Sequence, residues 1–187
     1  MNVSFKASTI NYANITKINP INKTETSFIG SFVELDKRNE YDYNALRTIA
    51  NKWENGYSLA VDIFDNFTCD KHGHHFYNKN NCRYFAILDK NYPVKKLDSE
   101  SILGIAQISK NLDNTYFLDF LQTNPKHICK SIDREFRNIG RTLVDLIVNI
   151  LPNKDITTCP VDDSARAFYE KMNFKQVKNS EFMKLKR

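Results

Sequence analysis

Glycine, proline and cysteine are all scarce in this sequence. Five glycines and five prolines in 187 residues exclude collagen-like and low-complexity architectures and leave little material for flexible linkers. Four cysteines, Cys69, Cys82, Cys129 and Cys159, are too few and too scattered for a disulfide framework, so free thiols are expected. No run approaches the ~20 apolar residues of a membrane-spanning helix. The start, "MNVSFKASTINYANITKINP", lacks the charged-then-apolar order of a signal peptide. The expectation is a cytoplasmic protein with no membrane partner. Charge of one sign is also lacking in long runs, because a net charge of +5 is spread over 27 Lys and Arg against 22 Asp and Glu. That balance suits an anionic ligand. A nucleic-acid binder without chemistry needs a basic face interleaved with stacking aromatics, and no such run exists here.

What is present fits a globular domain. Hydrophobic residues make up 41% and aromatics 12%, enough for a packed core, and the length suits one domain rather than two. Residues 1–27 are polar and rich in Asn, Thr and Lys, which reads as an arm or irregular first element. "SFIGSFVELD" (27–36), "SLAVDIF" (58–64), "CRYFAILD" (82–89), "SILGIAQIS" (101–109) and "TYFLDFLQT" (115–123) read as strands, the last two separated by the turn "KNLDN". Leu46, Ile49, Ala50 and Trp53 fall at i, i+3, i+4 and i+7 and predict an amphipathic helix. After Pro125 helical periodicity dominates. Leu143, Leu146, Ile147, Ile150 and Leu151 form one stripe starting just after Gly140, and Ala165, Phe168, Tyr169 and Met172 form another, with the strand "DITTCP" between them and a strand pair at the end. Residues 65–81 and 126–136 read as insertions into this single domain.

Two segments carry chemistry. "RNIGRT" (137–142) places a glycine and two arginines at a helix start, where unpaired N–H groups and the helix dipole favour an anion. Gly140 lets a ligand approach the backbone, and Arg137 and Arg141 add charge for phosphate oxygens. "DDSARAFYEKMNF" (162–174) opens on helix-capping residues and sets Tyr169 on an apolar face, where its hydroxyl needs a partner. "CDKHGHH" (69–75) with Cys82 has the atoms for zinc but not the ligand spacing, so no metal is expected.

In this order and separated by one strand, the two segments resemble the acetyl-CoA loop and the later Tyr-bearing helix of the GCN5-related N-acetyltransferase (GNAT) superfamily. The likeness covers residues 101–187. It implies an α/β (α+β) fold, with a central mixed, mostly antiparallel sheet flanked by helices, and acetyl-CoA as cosubstrate. It further implies that backbone amides of Arg137, Asn138, Ile139, Gly140, Arg141 and Thr142 cradle the pyrophosphate, that Leu121, Gln122 and Thr123 offer backbone groups to the pantetheine arm, and that Asp162, Ala165 and Phe168 lie against the cofactor. Tyr169 would protonate the departing thiolate, and Asp119, where many relatives carry Glu, would take the proton of the amine. Direct acetyl transfer to a primary amine follows, with a small amine, a protein amino group or an aminoacyl-tRNA as acceptor and a homodimer as the common assembly. A non-catalytic CoA-binding or regulatory module that keeps the fold is the alternative.

The sequence departs from the pattern at Thr142, where the family has Gly or Ala, at Asp162 in place of Asn, and at Asn173 in place of Gly. None of these removes a backbone amide. The larger departure is the stretch "KHICKSIDREF" between Pro125 and Arg137, where the family has far fewer residues.

Overall fold

A computed structural model describes residues 8–53, 59–68, 82–90, 97–128, 134–151 and 154–186. The strands are β1 (Ser8–Ile18), β2 (Glu25–Glu34), β3 (Cys82–Leu88), β4 (Ile102–Lys110), β5 (Tyr116–Thr123), β6 (Phe136–Arg137), β7 (Ile156–Thr158), β8 (Lys175–Gln176) and β9 (Met183–Leu185); the helices are α1 (Glu40–Lys52), α2 (Leu59–Thr68), α3 (Ile139–Ile150) and α4 (Asp163–Lys171). All nine strands join one sheet in the order β6-β1-β2-β3-β4-β5-β7-β9-β8. Every neighbouring pair is antiparallel except β5 and β7, whose parallel pairing requires the crossover that α3 supplies.

The central strands feed two cores, because their side chains alternate between two covered faces. Phe85 and Ile87 of β3 join Leu143, Val144 and Ile147 of α3 and Phe174 after α4. Tyr84, Ala86 and Leu88 of the same strand point the other way, to Leu46, Ile49 and Trp53 at α1 and Ala60, Ile63 and Phe67 of α2. With both faces buried, β4 is apolar almost throughout. No helix among the described residues is long and apolar enough to cross a membrane.

Two expected elements differ. "SLAVDIF" is not a strand: from Leu59 it is the start of α2, whose buried stripe of Ala60, Ile63 and Phe67 emerges only when the residues after Phe64 are counted in. The alternation in the first seven residues is incidental to that longer helical period. Nor are residues 8–27 an arm, since β1 pairs with β2 from Ser8 to Ile18. β1 is polar because only one of its faces is covered: Ala13 and Ile15 are buried while Tyr12 and Asn14 are exposed. Of the expected insertions, 65–68 belong to α2 and Phe136 to β6, while 69–81, with the Cys/His cluster, and 129–133 lie outside the described residues.

Candidate functional site

The site begins where two strands part. β5 and β7 run in register through the pairs Tyr116 with Ile156, Phe117 with Thr157 and Leu118 with Thr158, and there β7 ends. Residues 119–123 of β5 therefore keep β4 on one side and present an edge without a strand partner on the other. At the same point β5 carries a bulge: Gln107 opposes Phe120 and Ile108 opposes Leu118, leaving Asp119 as the extra residue. Bulge and strand end together open a gap in the sheet beside Leu118.

Along the edge beyond it lies a groove of about 820 Å³ walled by Leu121, Gln122 and Thr123 of β5, the start of α3, and Asp162, Ala165 and Phe168 around α4. Its floor is the N-terminus of α3. Asn138 at the cap position has φ 62°, a left-handed conformation, and its side chain caps nothing. Among the described residues the N–H groups of Ile139, Gly140 and Arg141 therefore have no acceptor, whereas that of Thr142 already donates to Asn138 O at 2.8 Å. Gly140 is not left-handed, and a Cβ on it would stand 3.4 Å from Thr123 Oγ1 and 3.6 Å from Phe168, ordinary contacts that point into the groove. The chain's own packing does not demand glycine there, and the missing side chain leaves that space to the groove. Gly104 is the opposite case, since a Cβ would stand 2.8 Å from Ile139 Cγ2, so the close seat of α3 on β4 depends on it.

The electrostatics favour an anion. Arg134, Arg141 and Lys171 border the groove, Arg141 only loosely tied to Asp145 at 4.0 Å. Among the described wall residues Asp162 is the one acid, and its Oδ1 is engaged by the Ala165 N–H at 2.7 Å as the cap of α4.

No protein-family model matches the sequence, and no curated protein matches it either. Solved structures do. A protein assigned to the GNAT acetyltransferases, from Desulfovibrio desulfuricans, shares 11% identity with a TM-score of 0.54 over 83% of this chain and 98% of that one. AtaTR bound with acetyl-CoA gives 15% identity and 0.52 over 83% and 92%, and AtaT complexed with acetyl-methionyl-tRNA gives 12% and 0.54 over 84% and 94%. The fold is that of the GNAT acetyltransferases.

Within the GNAT fold the sequence-expected residues divide. Leu121, Gln122, Thr123, Asn138, Ile139, Gly140, Arg141, Asp162, Ala165 and Phe168 line the groove together. Arg137 does not: it sits in β6 against β1, and its guanidinium is ion-paired with Glu25. Thr142 does not either, because its N–H is spent within the helix and its hydroxyl turns to Asn14 O at 3.3 Å. Of the six expected amides, that of Thr142 is spent within α3, while those of Ile139, Gly140 and Arg141 have no acceptor among the described residues, because a helix consumes its own donors only from its fourth residue on.

Tyr169 is 7% exposed among the α4-side core residues and is not part of the groove wall. Its hydroxyl meets Thr158, which in turn donates to Leu118 O at 3.1 Å, so the phenol stands at the gap between β5 and β7. Burial pushes its pKa up to about 12. Asp119 faces the other side of the sheet. Ser109 Oγ donates to its Oδ1 at 3.0 Å, its Oδ2 is buried without a hydrogen-bond partner among the described residues, and burial pushes its pKa up to about 6 against the pull of Ser109 and Gln107. The two expected catalytic groups thus flank one gap from opposite faces.

Sequence reasoning missed His127, Arg134 and Lys171 in the groove. His127 is half-buried with its ring edge-on to Phe136, and burial holds its pKa below the usual value. Lys171 was legible, one helical turn after Phe168. His127 and Arg134 fall in the stretch the family pattern does not cover, and no spacing marked them.

Proposed function

We propose that the protein is an acetyl-CoA-dependent N-acetyltransferase that moves acetyl directly to a primary amine. The carrying observation is the coincidence at one place of the β5 edge, three N–H groups of α3 without an acceptor among the described residues, and the space left by Gly140. The α3 amides and Arg141 suit the pyrophosphate, and the β5 edge at Leu121, Gln122 and Thr123 suits the amide-rich pantetheine arm. The thioester then reaches the gap beside Leu118.

At the gap the amine nitrogen attacks the thioester carbon, an N–C bond forms and the C–S bond breaks. Asp119 Oδ2 takes the amine proton, directly or through water; it is ionised above about pH 6 and has no hydrogen-bond partner among the described residues. Tyr169, held protonated at every working pH, gives its proton to the leaving thiolate. Backbone N–H groups of the β5 edge stabilise the oxyanion. An amine is the acceptor class, and because AtaT is solved with an acetylated tRNA, an aminoacyl-tRNA is the first acceptor to try, followed by polyamines and peptide amines.

One observation favours a non-catalytic CoA-binding module instead: Tyr169 is buried in the α4-side core beside Thr158, where an ordinary core tyrosine would sit. Calorimetric titration with acetyl-CoA, followed by thiol release in the presence of those acceptors, separates the two. Saturable binding with turnover that falls about a hundredfold in Tyr169→Phe supports the enzyme; binding with no turnover on any acceptor supports the module, and no binding removes both.

A further inference from the structure

The short strand that leads into α3 sorts its two arginines by the side they face. It runs along the end of β1: the Ile18 N–H donates to Glu135 O at 2.7 Å, Lys17 pairs with Phe136 and Thr16 with Arg137. Side chains of an extended segment alternate between its two sides. Phe136 is buried in the core under α3, so Arg137 turns the other way, where it is ion-paired with Glu25. Arg134, two residues before Phe136, comes back to the side of Phe136 and borders the groove. Its Nε donates to Phe136 O at 3.1 Å. That carbonyl stands two residues before Asn138, the cap of α3, so the bond holds the guanidinium at the approach to the helix start. An arginine has five N–H donors, and with Nε spent on Phe136 the four on its terminal nitrogens remain. Among the described residues no carboxylate pairs with them.

We propose that Arg134 is the arginine that binds the pyrophosphate of acetyl-CoA, in the place that the sequence pattern gives to Arg137. The proposal rests on the acetyl-CoA reading above. Arg134 shares the groove with Ile139, Gly140 and Arg141, whose N–H groups would meet the same phosphate oxygens. A guanidinium fixed through Nε presents its remaining donors as a planar fork, the geometry that suits two oxygens of one phosphate. The stretch between Pro125 and Arg137, where the chain departs from the family pattern, thereby supplies the charge that Glu25 withdraws from the groove by holding Arg137.

The test is calorimetric titration of the whole protein with acetyl-CoA and with its 3′-dephospho form, in wild type, Arg134→Gln and Arg137→Gln. Arg134→Gln should weaken acetyl-CoA by about tenfold or more, and the dephospho form by the same factor, because the pyrophosphate is common to both. Added salt should narrow the difference between wild type and Arg134→Gln, as screening of an ionic contact requires and a merely structural effect does not. Arg137→Gln breaks only an exposed ion pair and should change affinity by less than about twofold. A larger loss in Arg137→Gln than in Arg134→Gln, or a loss in Arg134→Gln that vanishes with the dephospho form, overturns the proposal and leaves acetyl-CoA binding standing. Should Arg134→Gln not fold, Arg134→Lys keeps a positive charge without the fork and should weaken binding by about threefold or more; undiminished affinity overturns the proposal equally. No binding by the folded wild-type protein removes the acetyl-CoA reading and this proposal with it.

Discussion

Gly140→Ala is expected to make the protein more stable and a poorer binder of acetyl-CoA. The added methyl would meet Thr123 Oγ1 at 3.4 Å and Phe168 at 3.6 Å, both ordinary contacts, so the chain accepts it without moving. Replacing glycine by alanine within a helix gains up to about 1 kcal/mol, which in a chain of this length raises Tm by roughly 2–4 °C. In the groove the same methyl stands where an anion must approach the N–H groups of Gly140 and Arg141. A hydrogen bond to a charged group contributes about 1.5–3 kcal/mol, so weakening one of them should lower affinity by about tenfold or more. Circular-dichroism melting of the ligand-free protein and calorimetry with acetyl-CoA read the two effects separately. A lower Tm would mean the glycine serves the fold, and a higher Tm with unchanged affinity would mean the N-terminus of α3 is not the anion seat.

Three further outcomes are expected. Asn173 closes α4 at φ 66° with its N–H on Glu170 O, so Asn173→Ala should cost about 1–2 kcal/mol in chemical denaturation while Asn173→Gly costs nothing. Asp119 and Asp42 are both pushed up to about 6 by burial, so the folded protein holds protons the unfolded chain gives up. Stability should therefore fall as pH rises from about 4 to 6, and Asp119→Asn should stabilise more at pH 7.5 than at pH 4.5 in urea titrations. Gly104→Val should lower stability by about 1–3 kcal/mol, because even a Cβ meets Ile139 Cγ2 at 2.8 Å; unchanged melting would mean α3 is not seated as described.

The sequence by itself determined the elements whose period survives in a short window. The strands from 82 to 123, the helix α1, and the α3 and α4 stripes follow from alternation or from i, i+3, i+4 spacing, since each buries a face set by local geometry. It also held most of the residues that line the groove. A glycine and arginine at a helix start and a capped helix bearing Phe168 and Tyr169 keep their neighbours wherever the helices pack. Asn173 in place of glycine shows the same, because asparagine tolerates the left-handed turn that ends α4.

Tertiary structure decided the rest. β1 looked like an arm because its pairing partners, β2 and β6, lie elsewhere in the chain, and only sheet formation shows which of its residues are covered. Arg137 matched the phosphate pattern, yet its strand partner and Glu25 draw it away from the groove. The opening beside Leu118 arises because β7 stops and β5 bulges at the same level, a coincidence of two strands about forty residues apart that no local pattern carries. That opening is what places Asp119 and Tyr169, from opposite faces of the sheet, at one point.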